Sequence, residues 1–243
     1  MVIELLTAHA SVRKYKDIPL STDSVHELIH AGQAAASSHF VQAYSVIHVT
    51  NSAKRNTLAG LTKNPQQILS AGAVLIFCVD YCRLEKAAAL AGGNIDFSHA
   101  ENLLVGVTDV ALFAQNVAVA AESKGYGICY IGGVRNAPME ISELFGLPKG
   151  VAPMFAMTIG VPDEANEVKP RLPIEAIIHE NDYNTKKYDE LLPAYDETMN
   201  KYYASRDSNQ KDAAWSDSMA TFLRKPRRTH MKDFLQEQGF EFE

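Results

Sequence analysis

The chain has 243 residues, 47% of them hydrophobic and 21% charged, with a net charge of −6. That size fits one large domain or a domain with an appended arm, and burial is not limiting for such a chain. The acidic balance argues against general nucleic-acid binding, although Arg224, Lys225, Arg227, Arg228 and Lys232 crowd the C-terminal segment. Three cysteines, Cys78, Cys82 and Cys129, make neither a disulfide framework nor a zinc spacing. No secretory leader is read at the N-terminus, and no apolar run is expected to reach the ~18 residues of a membrane span. Composition therefore predicts a soluble cytoplasmic protein.

In chain order, Met1–His9 reads as a short helix. Ser24-Val-His-Glu27 has capping-box spacing and is expected to open a second, with Val25, Leu28 and Ile29 at helical intervals. Tyr44–Thr50 is β-branched and predicts a strand, and Ala53–Leu61 a helix. Val74–Asp80 is a continuous apolar run, which predicts a strand covered on both faces. Phe97–Lys124 is the longest helical pattern, about 40 Å at 1.5 Å per residue. Its apolar and small residues wrap most of the circumference, so burial on nearly all sides is expected, in a domain centre or a dimer. Gly125 and Gly127 should stop it. Ile128–Ile131 and Pro153–Val161 read as strands, Lys169-Pro-Arg-Leu-Pro173 as extended chain, and Leu191–Tyr203 and Trp215–Leu223 as helices. Strands interleaved with helices fit α/β or α+β.

Five clusters could carry chemistry. His9-Ala-Ser-Val-Arg13 offers three donors within five residues, and an Arg fork suits a phosphate or a polarised carbonyl; a solvated helix end fits it too. Ser37-Ser-His-Phe-Val-Gln42 could donate to a ligand's polar edge while His39 or Phe40 covers an aromatic face, or could be an ordinary turn. Tyr130-Ile-Gly-Gly133 follows a predicted strand, where paired glycines allow close backbone approach. It lacks dinucleotide-fingerprint spacing. Lys169 and Arg171 stand on a stiff backbone and could face one dianion. Arg206, Lys211 and Arg228, near Trp215, could receive dinucleotide phosphates or simply be solvated. Hydrolase triads, zinc-protease motifs and phosphate-binding loops are missing, and the eight histidines are scattered, so no metal is expected.

The order of the clusters is more specific than any one of them. His9-x-Ser-x-Arg13, Ser37-Ser38 with Gln42 and Ser45, Gly127-Ile-Cys-Tyr-Ile-Gly-Gly-x-Arg-Asn136, Lys169-Pro-Arg-Leu-Pro173, Tyr202-Tyr203 and Trp215-Ser-Asp217 form one series. It resembles the oxygen-insensitive nitroreductase and NADPH-flavin oxidoreductase family, in its larger-chain branch. The resemblance implies an α+β fold, with a mixed sheet flanked by helices and a long central helix at a homodimer interface. It implies an FMN-binding core over 1–165, and a phosphate-binding strand and C-terminal extension over 166–243 that wraps the partner. One FMN per subunit would sit in a pocket made by both. His9 and Ser11, with Lys169 and Arg171, would hold its phosphate. Arg13 would lie near the pyrimidine edge of the ring as the catalytic cation; Ser37, Ser38, Phe40 and Gln42 would reach in from the second half of the pocket. Tyr130, Ile131, Gly132 and Gly133 would run along the ring, and Arg206, Lys211 and Arg228 would recognise NADPH phosphates.

Two departures stand out. Ala10 replaces the family's usual arginine, and Asn64-Pro65 replaces its usual Asn-Gln, leaving Gln66 or Gln67 to supply that flavin contact, of which Gln67 is taken. The implied activity is ping-pong NAD(P)H oxidation, with NADPH preferred over NADH. Nitroaromatics, quinones or related small molecules would be the electron acceptors. A flavin reductase releasing reduced FMN and a non-catalytic flavin-binding redox sensor are the alternatives. No nucleic acid or membrane is expected as a partner.

Overall fold

The computed structural model describes residues 1–205 and 214–242. The chain forms two compact units, Met1–Asn166 with Arg228–Glu243, and Glu167–Arg227. The first begins with α1 (Val2–Thr7), α2 (Thr22–Gln33), β1 (Tyr44–His48), α3 (Ser52–Thr62), α4 (Pro65–Ser70) and β2 (Ala73–Asp80). It continues with α5 (Cys82–Leu90), α6 (Ala100–Ser123), β3 (Gly127–Ile131), α7 (Pro138–Phe145) and β4 (Val151–Gly160). The second unit carries α8 (Ile174–Ile177), α9 (Tyr188–Ala204) and α10 (Trp215–Leu223). Helix α11 (Met231–Glu237) returns to the first. Phe234 and Phe240 are buried at 1% and 0% exposure in the core of the first unit.

The α+β class is as expected, but the sheet is antiparallel in every pairing rather than mixed. Its order is β1-β2-β4-β3. Strands running the same way, β1 with β4 and β2 with β3, are each separated by an intervening strand. All eight residues of β2 are buried, as the unbroken apolar run requires. Leu75, Phe77 and Val79 face the layer that contains Phe113, whereas Val74, Ile76 and Cys78 face the layer that contains Leu58 and Ile141. Each such large side chain contributes roughly 1.5–3 kcal/mol on burial.

Helix α6 buries Gly106, Asp109, Val110, Phe113, Ala114, Val117, Ala118 and Ala121 at spacings of three and four. Burial on nearly all sides is not found within one chain, since Leu104, Val107 and Leu112 stay 63%, 39% and 43% exposed. Apolarity around a helix states what could be buried; α1, α2 and the sheet leave these residues uncovered here. The helix is also apolar and long enough, by composition, to cross a membrane, contrary to expectation. Polar Asp109, Gln115 and Asn116 break its apolar runs in sequence, and Asp109 is fully buried against the protein. Its end is as expected: Gly125 turns at φ +80°. Gly127 starts β3, where a Cβ would sit 2.5 Å from the Val12 side chain.

The start of α2 differs from the sequence reading. Ser21, not Ser24, is the N-cap, with its Oγ accepting from the Ser24 amide at 3.1 Å. Glu27 then falls in mid-helix and pairs instead with Lys124 at 2.6 Å. The sequence reading anticipates no helix at α4, α5, α7, α8 or α11; they are short, and tertiary packing stabilises them more than propensity does.

Candidate functional site

The first and third clusters meet along edge strand β3. The Val12 amide donates to the Ile128 carbonyl at 2.9 Å, which lays the His9–Arg13 segment beside the strand that ends in Tyr130 and Ile131. Glu164 secures this segment by accepting from the Arg13 and Lys14 amides at 2.5 and 3.2 Å and from Asn166 Nδ2 at 2.9 Å. Partial burial opposes its charge, but the three hydrogen bonds outweigh it and hold the carboxyl below its ordinary range. The Arg13 side chain is exposed, and its guanidinium makes a long 3.4 Å contact to the Ser11 carbonyl two residues earlier. His9 is paired: its Nδ1 lies 2.5 Å from Glu122 Oε1 of α6.

Along β3, Tyr130 is 36% exposed, rests edge-on against Phe155 and donates to Gln115 Oε1 at 3.3 Å. Burial, with Glu122 adding, pushes its phenol well above the ordinary value. Ile131 points into the core at 3% exposure, so only its backbone is placed to meet a ligand. The two glycines differ. A Cβ on Gly133 would lie 2.3 Å from the Thr62 carbonyl and 2.5 Å from Asn64 Nδ2, whereas one on Gly132 meets nothing nearer than Arg135 Nη2 at 3.4 Å. Gly133 thereby lets the turn after β3 close on the loop that leads into α4. Pro65 starts α4, where a missing amide costs little. On that helix Gln67 is half-buried and Gln66 exposed. Arg228 also stands here, with Nε donating to Asn136 Oδ1 at 3.0 Å. Arg135 donates to the Met154 carbonyl at 2.5 Å, and burial, with Arg228 adding, lowers its pKa.

The second cluster stands at the other edge of the sheet, leading into β1. His39, Phe40 and Gln42 adopt φ of 46°, 60° and 53°, the left-handed region that non-glycine residues rarely enter. The loop is tied at both ends. Asp109, fully buried in α6, accepts from Ser37 Oγ at 2.7 Å and from the Ser38 and Ala43 amides at 3.0 and 3.1 Å. Arg83 donates to the Gln42 carbonyl at 2.8 Å and to the Tyr44 carbonyl at 2.5 Å. Between these ties Phe40 is 80% exposed. Behind the loop lies a cavity of about 520 Å³ lined by Ser38, His39, Val41, Tyr81, Leu84 and Phe97, among others.

In the second unit, Lys169 Nζ sits 5.3 Å from the Tyr203 ring and Tyr195 Oη donates to the Pro170 carbonyl at 2.8 Å, so the Lys169–Arg171 stretch is pinned to α9. Arg171 is exposed. Arg206 and Lys211 lie outside the described residues. Sequence reasoning missed Asp109, Glu122, Glu164 and Arg83. Asp109 left one legible signal, a lone acid within the apolar stretch of α6; the others left none.

This arrangement, a helix-covered antiparallel sheet with polar clusters at its two edges, is that of a known class: the chain belongs to the nitroreductase family. Residues 6–161 match the Nitroreductase family, and residues 169–243 match the Nitroreductase family, C-terminal domain. Among its relatives is a Cr(VI) reductase from Pseudomonas sp. (strain G-1), 58% identical over 99% of both chains. The NADPH-flavin oxidoreductase of Vibrio harveyi is 41% identical over 98% of this chain and 97% of that protein. The solved NfrA1 nitroreductase from Bacillus subtilis superposes with a TM-score of 0.94 at 36% identity, covering 99% of each chain.

Proposed function

We propose that the protein is an FMN-dependent NAD(P)H oxidoreductase that reduces small acceptors such as nitroaromatics and quinones by a ping-pong cycle. The observation that carries this reading is the meeting of an exposed arginine, a polar N-terminal segment and an open glycine along one edge strand, in a chain of nitroreductase sequence and fold. The residues fit FMN. Arg13 is exposed beside β3, the Gly132 position leaves the backbone approachable, and Phe40 offers an uncovered aromatic face. Bound FMN supplies the two-electron carrier between NADPH and the acceptor. In this reading Arg13 places positive charge where negative charge develops on the ring's pyrimidine side. Glu164 keeps the Arg13 backbone in place through its two amide contacts. His9 and Ser11, with Lys169 and Arg171, are assigned to the phosphate, and Tyr130 to Gly133 and Gln67 to the ring. Arg228, with Arg206 and Lys211, is assigned to NADPH.

The functional unit is proposed to be a homodimer. Clusters 9–13 and 37–42 stand on opposite edges of a four-stranded sheet, three strand spacings of about 4.8 Å apart. With the body of the sheet between them in one chain, a single flavin contacted by both is taken to draw one cluster from each of two copies. The exposed apolar face of α6 at Leu104, Val107 and Leu112 supports the same assembly. The proposal also places the protein, with its unpaired thiols, in the cytoplasm.

The test is an absorbance spectrum of the purified protein, repeated anaerobically after NADPH. Flavin bands that bleach on addition support the proposal; a colourless protein that takes up no added FMN overturns it. A flavin reductase releasing reduced FMN is the second reading, favoured by relatives named NADPH-flavin oxidoreductase and FMN reductase (NADPH). Turnover that rises with added free FMN selects it. The 58% identical relative, a Cr(VI) reductase, adds Cr(VI) to the acceptors to be assayed.

A further inference from the structure

The loop at 37–43 combines three features. Three of its non-glycine residues are left-handed, its tip is an uncovered phenylalanine, and its anchor is a buried carboxylate far away in sequence. Left-handed conformations at His39, Phe40 and Gln42 each cost free energy, and they persist only where surrounding contacts over-determine them. Those contacts trace to Asp109. The Gln42 amide donates to Ser37 Oγ at 2.6 Å, and Ser37 Oγ donates in turn to Asp109 Oδ2 at 2.7 Å. The Ser38 amide takes Oδ1 at 3.0 Å, and the Ala43 amide shares Oδ2 at 3.1 Å. Every one of these partners is a donor, so the carboxylate acts as an acceptor only. It closes the loop from both ends and, through one hydroxyl, from the inside.

We propose that Asp109 is a positioning residue for the flavin site: acting through Ser37, it holds the 37–43 loop in the left-handed form that presents Phe40 and Gln42 to a flavin bound mainly by a second copy of the chain. This rests on the FMN-dependent reading above. Asp109 itself touches no flavin in this scheme. Its work is preorganisation: the loop meets the ligand already shaped, so less ordering opposes binding. Arg83 assists at the exit, where it fixes the Gln42 and Tyr44 carbonyls.

Asp109→Asn is the direct variant, because it keeps the shape but turns one acceptor into a donor facing an amide or a hydroxyl. Ser37→Ala is the second, because it breaks the relay to Gln42 without disturbing the buried helix. Ser37→Thr keeps the hydroxyl at a position whose extended backbone, φ −138° and ψ 140°, suits a β-branched residue. Two quantities are measured on the purified dimeric protein: the FMN dissociation constant by flavin-fluorescence titration, and hydrogen exchange at the 38–43 amides without FMN. The expected result is FMN binding weakened about tenfold in Asp109→Asn and Ser37→Ala, with faster exchange confined to 38–43 and near-wild-type values in Ser37→Thr. Should Asp109→Asn fail to fold, Ser37→Ala against Ser37→Thr decides alone. FMN affinity within twofold of wild type in Ser37→Ala, or loop amides that stay equally protected, overturns the inference. Failure of the parent reading looks different: the wild-type protein itself then binds no FMN.

Discussion

His9 Nδ1 lies 2.5 Å from Glu122 Oε1, so the imidazole assigned to a phosphate is already held by a carboxylate in the last turn of α6. The contact fixes the ring's orientation and directs its other nitrogen away from the helix. Substituting Glu122→Gln should therefore weaken FMN binding about fivefold, the loss of roughly one hydrogen bond's net worth. His9→Ala should cost more. Fluorescence titration checks both; tighter FMN binding by Glu122→Gln would show the carboxylate acting mainly by repelling the phosphate.

Glu164 makes the Arg13 segment sensitive to acid. Its folded pKa is lowered, so the unfolded chain binds the proton more readily. The resulting stabilisation is fully present above the ordinary value of about 4.5 and is lost as pH falls through the lower folded value. Glu164→Gln should weaken FMN binding about threefold at pH 7, on the scale of a surface interaction. The two proteins should converge across the acid range below about pH 4.5. Parallel curves across that window would separate Glu164 from the flavin site.

The glycines after β3 should respond differently to the same substitution. Gly133→Ala forces a Cβ to 2.3 Å from the Thr62 carbonyl, which is backbone and cannot move aside cheaply. A destabilisation of about 1–3 kcal/mol is expected by urea unfolding. Gly132→Ala meets only the Arg135 side chain at 3.4 Å. It should leave stability unchanged while lowering FMN affinity severalfold. Equal stabilities for the two variants would mean that the turn relaxes.

The dimer proposal predicts that charge on the open face of α6 separates the subunits. Leu104 and Leu112 are 63% and 43% exposed in the single chain. Leu104→Lys combined with Leu112→Lys should halve the mass seen by light scattering and lower FMN affinity at least tenfold, because each flavin then loses one of its two clusters. A doubly substituted dimer that retains flavin would place the interface elsewhere.

Much of the fold is legible in the sequence. The apolar run Val74–Asp80 pointed to a strand covered on both faces, and the long pattern at Phe97–Lys124 to a helix. The ordered series of clusters from His9 to Trp215 pointed to the family. These signals are local: each resides in the periodicity or composition of a single segment. Tertiary structure alone decided the rest. It put β4 between β2 and β3, which sent clusters 9–13 and 37–42 to opposite sheet edges. It brought Asp109 to Ser37 across 72 residues and Glu164 to Arg13 across 151. It also drew Phe234 and Phe240 back into the first unit. Strand order and hydrogen bonds over such separations depend on which surfaces pack together, and no single stretch of sequence contains both partners of such a contact.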